Sequence, residues 1–160
     1  MKQLLAILSA ALVSVSAIAA GNEFAFDVQV TKNGALITKM SAVAAENVTT
    51  PLTAVREITY IASASRKEGG EINLVPGIVK TGFSGTFYPS VEPSGKIKAR
   101  VTMDISDLKG MPMVAIGDGL NIQMPDLETQ HLDQELTFDK SAPVTLGMGD
   151  YTIQIMATKL

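Results

Sequence analysis

From Phe24 to Val30 the side chains alternate between apolar and polar, and that two-residue period returns almost everywhere downstream. A period of two is the signature of a half-buried β-strand, because successive side chains leave a strand on opposite faces. Lys32-Asn33-Gly34-Ala35 follows the first run, and Asn-Gly between alternating runs is a strong hairpin signal. Leu36 to Met40 is the return strand. Val55 to Ser65 is rich in β-branched and small residues, and Ile78 to Val91 is extended with Gly82 and Gly85 inside it. Pro76-Gly77 signals a turn or bulge, and Glu92-Pro93-Ser94-Gly95 a four-residue turn. From Lys96 to Ile105 the alternation is unbroken, with Ile97, Val101 and Ile105 on the oily face and Lys96, Lys98 and Arg100 on the other. Ser41 to Thr53 reads as less regular, with a short edge strand ending before Pro51. Ser106 to Gly119 reads as the longest irregular segment. Leu120 to Met124, His131 to Phe138, and a last pair of strands around Gly149-Asp150 complete the chain. No helix of useful length is expected after the leader. The expected fold class is all-β, with roughly nine to eleven antiparallel strands and hairpins forming a sandwich, or a barrel shared between copies.

Residues 1–20 read as a cleaved signal peptide. Lys2 is the charged start, Leu4 to Ala20 is apolar and small, and Ala17 to Ala20 offers small-residue cleavage positions. The apolar run lies near the lower limit for a membrane span. Its Ala/Ser-rich end and the lack of basic stop-transfer residues favour cleavage. Residues 21–160 are then one β domain.

Without Lys2 the balance is 12 basic (13 − 1) against 16 acidic side chains, a formal charge of −4. That balance argues against nucleic acid as a partner, since phosphate binding needs clustered Lys and Arg. The chain has no cysteine, so an exported form must hold itself by packing or by assembly with copies of itself. It has no Trp and 5% aromatic residues, unlike a barrel belted by aromatic girdles.

Nothing in the residues points to catalysis. His131 is the one histidine and lies in a plain strand, whereas a catalytic zinc site needs about three protein ligands. No Gly-x-Ser-x-Gly elbow occurs. Gly117-Asp118-Gly119 and Gly147-Met148-Gly149-Asp150 read as turns, each with one carboxylate where Ca²⁺ needs several oxygens. Asp126 with Glu128, and Asp133 with Glu135, share strand faces and read as solvated. The Lys96, Lys98, Arg100 stripe faces solvent, a polar lumen or a partner's acidic strand. No metal or cofactor is expected.

The order of these words resembles a known family. Pro76-Gly77-Ile78-Val79-Lys80-Thr81-Gly82-Phe83 leads into a strand ending near Pro89. A turn at Gly95, a return strand through Val101 and the closing Ser106-Asp107-Leu108 follow. This is similar to the membrane-hairpin region of bacterial secretins, the ring-forming outer-membrane channels of pilus, type II and III secretion and filamentous-phage export machines. Arg56 to Ser63, Ile122 to Thr129 and Val144-Thr145-Leu146-Gly147 resemble further secretin words, so the likeness covers about residues 53–148. It implies a short, stand-alone relative of the secretin core. It marks Pro76, Gly77, Gly82, Phe83 and Pro89, with Gly95, Val101, Ser106 and Leu108, as candidate gate or membrane-hairpin positions. It also implies a non-enzymatic, exported, self-assembling component in the periplasm or outer membrane of a Gram-negative bacterium. Its partners would be copies of itself or a larger secretin or pilus protein. A soluble periplasmic β-sandwich with a binding or accessory role is the alternative.

Overall fold

The alternating runs become strands that face each other across one apolar layer. The structure, a computed structural model, describes residues 21–139 and 142–160; the expected signal peptide lies outside the described residues. Ten strands run in chain order: β1 (Glu23–Lys32), β2 (Ala35–Ala45), β3 (Thr50–Arg66), β4 (Ile72–Val91), β5 (Ile97–Gly110), β6 (Met113–Gly117), β7 (Leu120–Gln123), β8 (Asp126–Phe138), β9 (Val144–Met148) and β10 (Tyr151–Lys159). They form two four-stranded antiparallel sheets, ordered β2-β1-β10-β9 and β3-β4-β5-β8, and a separate β6-β7 hairpin. The fold is all-β, and among the described residues there is no helix.

The period of two decides which side chains meet. From the first sheet Phe24, Phe26, Val28 and Val30 point inward beside Tyr151, Ile153, Ile155 and Ala157. From the second, Phe83 and Phe87 join Ile97, Ala99, Val101, Met103 and Ile105, with Leu132, Leu136 and Phe138 beyond. Phe26 stacks on Phe87 with ring centroids 4.6 Å apart and meets Phe138 edge-on at 5.8 Å. Such pairs add about 0.5–1.5 kcal/mol each beyond their buried area. Among the described residues, every buried residue is apolar, and no buried side-chain nitrogen or oxygen lacks a partner.

The turns follow their residues. Asn33 and Gly34 both take positive φ (49° and 81°) in a two-residue loop, the geometry that matches strand twist. Asp118 and Gly119 (50° and 71°) do the same between β6 and β7.

Regular structure reaches further than the sequence reading has it. β2 continues through Ala45, across the Ala-rich patch, because Ala42 and Ala44 face the core. Pro51 lies inside β3, an edge strand, where a missing N–H is tolerated. Ser106 to Gly119 is not irregular: β5 runs to Gly110, and Met113–Gly117 pairs with β7. Pro76-Gly77 is not a turn either, since β4 passes straight through it.

Val101 is fully buried at the middle of this layer. Val101→Asp places an unpaired charge there and is expected to cost about 3–5 kcal/mol or abolish folding, read by urea denaturation of the mature chain. A midpoint equal to the parent's would mean that Val101 does not face the opposite sheet.

Candidate functional site: two projecting hairpins

β4 leaves the sandwich at Gly82. Its pairing with β5 runs from Val91↔Ile97 to Gly82↔Ser106 and stops, while its pairing with β3 continues to Arg66↔Ile72. Beyond Gly82 the two strands are therefore a free two-stranded ribbon. At about 3.4 Å per residue, Gly82 to Ile72 spans roughly 30 Å. Gly82 has φ +116°, and a Cβ there would collide with the carbonyl oxygen of Ala54. Only glycine holds the bend at which ribbon and sandwich part.

Pro76 is opposite Ile61, whose N–H points away from β4. The pair is thus a non-hydrogen-bonded one, and the donor that Pro76 lacks would have faced the side that β5 no longer reaches. The irregularity falls on the partner strand: the register shifts by one residue between Ile61 and Ser63. That shift sets Tyr60 across from Gly77, where a Cβ would come within 2.6 Å of the phenol ring. An aromatic ring covering a cross-strand glycine restores the contact that glycine itself cannot make.

The β6-β7 hairpin lies alongside β3. Gln123 Oε1 accepts a hydrogen bond from the Ile61 N–H at 2.8 Å. At the tips, the Arg66 guanidinium donates to the carbonyls of Gly70 (3.1 Å) and Asp118 (3.2 Å). Ala64, Val79 and Leu120 are buried although they stand outside the main core. Much apolar surface stays uncovered: Val55, Leu74, Val75 and Ile78 on the ribbon, Met113 and Ile116 on the hairpin. Ile78 is 60% exposed and Met113 59%, values ordinary for a surface lysine and not for strand residues with a core to face.

An ionic brace stands where the ribbon departs. Lys32, at the end of β1, pairs with Asp107 of β5 and so ties one sheet to the other. Its ammonium also lies 4.9 Å from the centre of the Tyr151 ring. Lys109 bridges Asp107 (3.4 Å) and Glu128 (2.6 Å). The Lys32 contact holds the Asp107 carboxyl below the usual carboxylate range, against a smaller opposing effect of burial, with Lys109 adding to it. Lys109 likewise lowers Glu128.

The candidate positions divide between these regions. Pro76 and Gly77 lie on the ribbon, and Gly82 and Ser106 pair at its root. Leu108, half-buried, pairs with Leu127 just beyond. Phe83 and Val101 are core residues of the sandwich. Pro89 is buried, and its carbonyl accepts the Asn47 N–H at 2.7 Å. Gly95 (φ +81°) closes the β4-β5 turn at the opposite end. The structure thus brings Pro76, Gly77, Gly82, Ser106 and Leu108 to one end and leaves the others in or behind the core.

The charged stripe meets the chain's own acidic strand. Lys96 pairs with Asp139 (2.9 Å), Lys98 with Glu135, and Arg100 with both oxygens of Asp133 (3.0 and 2.7 Å). Arg100 lowers the Asp133 carboxyl. His131 Nδ1 lies 2.8 Å from Asp104, its cross-strand partner. Among the described residues no group of three or more His, Cys, Asp or Glu is placed to hold a metal.

The arrangement defines a class: a β-sandwich that carries two apolar hairpins at one end. No family model matches the chain, and no curated protein does. Among solved structures, the secretin InvG of the Salmonella SPI-1 type III secretion injectisome is similar at a TM-score of 0.44 and 10% identity, over 87% of this chain and 62% of that one. A chain of the Salmonella SPI-1 basal body of InvG, PrgH and PrgK gives the same score and identity, over 87% and 44%. This chain spans less than two thirds of either neighbour's length.

Pro76, Gly77 and Gly82 are named from the sequence as candidate positions; Gln123, Tyr60 and Arg66 are not. Counting back from the charged tip at Arg66 to Glu71 sets Tyr60 one residue away from its true partner, because the register shift at Ala62 leaves no mark in composition.

Two outcomes follow. Gly82→Ala forces a side chain into left-handed backbone against a carbonyl and is expected to cost about 1–3 kcal/mol, measured by denaturant midpoint; no change would show that the bend does not require glycine. Asp107 has a folded pKa below its unfolded one, so its contribution is complete above the ordinary carboxylate value and is lost as pH falls through the folded value. The difference in thermal midpoint between parent and Asp107→Asn is therefore expected to be full near neutrality and to shrink below about pH 4. A difference that stays constant from neutral to acid would remove Lys32–Asp107 as its source.

Proposed function

We propose that this chain is an exported, non-enzymatic structural component of a Gram-negative cell envelope, one that works by associating with copies of itself or with a larger secretin-type partner in a secretion, pilus or export apparatus. In this reading residues 21–160 form the working β domain and residues 1–20 direct its export. The observation that supports it is the pair of hairpins, β3-β4 and β6-β7, standing off a sandwich whose own core is already closed. Apolar side chains such as Val75, Ile78 and Met113 lie open on them. A self-sufficient domain gains nothing from such surface, whereas an assembling one has a use for it. The secretin-like words from Arg56 to Gly147 point the same way.

A second reading is a soluble periplasmic sandwich with an accessory role. It draws on the burial of Ile97, Val101 and Ile105 beneath the opposite sheet, which leaves that apolar face unavailable to lipid.

Cell fractionation with sizing of the mature protein separates the two. The proposal expects large, heat-resistant oligomers that sediment with outer membrane and need detergent for extraction. A monomer released in full by osmotic shock would end it and favour the accessory role.

A further inference from the structure

β3 is the last strand of its sheet, so its outer edge has no strand partner among the described residues. An open edge of this length presents unpaired N–H and C=O groups and is a template for another chain. Here the edge is not left bare. Ile61 directs its N–H outward, and the acceptor is a side chain, Gln123 Oε1, at 2.8 Å. The bond stands in for a ladder hydrogen bond at that residue. A second tie joins the tips, where Arg66 reaches the Asp118 carbonyl at 3.2 Å. Both ties run from β3 to the β6-β7 hairpin, and both use side chains.

That choice has a consequence. A paired strand is held by a row of backbone bonds; this hairpin is tied to β3 by two separate side-chain hydrogen bonds, with Leu120 buried beside them. Single side-chain bonds are weaker restraints than a backbone ladder, and neither of these two involves a residue of the sandwich core. β6-β7 is also its own hydrogen-bonded hairpin, with pairing from Met113↔Gln123 to Gly117↔Leu120, and makes no backbone ladder with β3.

We propose that the β6-β7 hairpin is a strap that closes the free edge of β3, and that its release through Gln123 and Arg66 opens that edge to a strand from a second copy of this chain. The inference rests on the assembling role proposed above and adds to it a built-in restraint on when assembly begins. A second copy is the occupant that the surface beside the edge suits. The ribbon beside the edge is apolar at Val55, Val75 and Ile78, and Glu57 is neutralised by Lys80 on the facing strand at 3.2 Å. A like ribbon therefore meets little repulsion at that point.

The test uses the mature chain over a concentration series, with size read by sedimentation velocity and exchange of the Ile61 amide read by NMR at low concentration. In the parent the Ile61 amide is expected to be protected. In Gln123→Ala its exchange is expected to rise at least about ten-fold, and the concentration at which oligomers form is expected to fall roughly ten-fold. Gln123→Glu keeps an acceptor and should resemble the parent. Arg66→Ala removes the other tie from an exposed tip, so it tests the strap even where a change at Gln123 disturbs folding; it too should lower the assembly concentration. Parent and variants assembling at one concentration would overturn the strap and leave the assembling role standing. No assembly by any of them at any concentration would overturn both.

Discussion

Phe26 lying on Phe87, with the edge of Phe138 against it, is the contact on which the rest of the molecule depends. It joins β1 of one sheet to β4 and β8 of the other, and the chain has no disulfide to share that task. Each sheet alone would expose an apolar face. Pressed together, they bury the inward side chains of β1, β10, β4, β5 and β8 in one layer. The sandwich made in this way is the fixed base from which β3 and β4 project. A ribbon of two strands has little stability of its own in water. It holds its direction because the same two strands are anchored in the core at their other ends.

β4 shows how one strand serves both purposes. Phe83 and Phe87 point into the core, while Val75 and Ile78, on the same strand, meet no neighbouring sheet. Apolar residues continue across the boundary, aromatic on the inner half (Phe83, Phe87, Tyr88) and β-branched on the outer (Ile72, Val75, Ile78, Val79). What changes is the partner. β5 stops pairing at Gly82, and past that residue the main core no longer lies beneath the strand, so that only Val79 of the outer half is buried. Exposure of good core residues on the outer half of β4 is thus a property of topology and not of composition.

For the same reason the fold was more legible than the candidate site. Alternation and the Asn33-Gly34, Ser94-Gly95 and Gly149-Asp150 turns give strands, hairpins and the inward set Ile97, Val101, Ile105 directly. Local pattern could not show that Lys98 and Arg100 meet Glu135 and Asp133, because those partners lie on β8, beyond the whole β6-β7 excursion. Nor could it show that Ser106 to Gly119 is ordered. That segment is rich in Gly, Met and Pro and reads as loop, yet backbone pairing across Asp118-Gly119 turns it into a hairpin. Gln123 is the extreme case. A glutamine at the end of a four-residue strand carries no signal until the fold sets it beside an unpaired amide of β3.

The two outer strands of the second sheet are protected by different means, and the difference bears on what each can do. On β8 the outward side chains include Asp133 and Glu135, matched by Arg100 and Lys98 on β5. A newcomer pairing along β8 would lay its own side chains against this ladder, and an apolar one would strip water from ions already satisfied, which is a standing cost. β3 has no such ladder on its ribbon half. It carries Ile58, Tyr60, Ile61 and Ala62 there, and a separate hairpin lies along its edge. The second sheet thus guards one border with ion pairs and the other with a hairpin tied on by side-chain bonds.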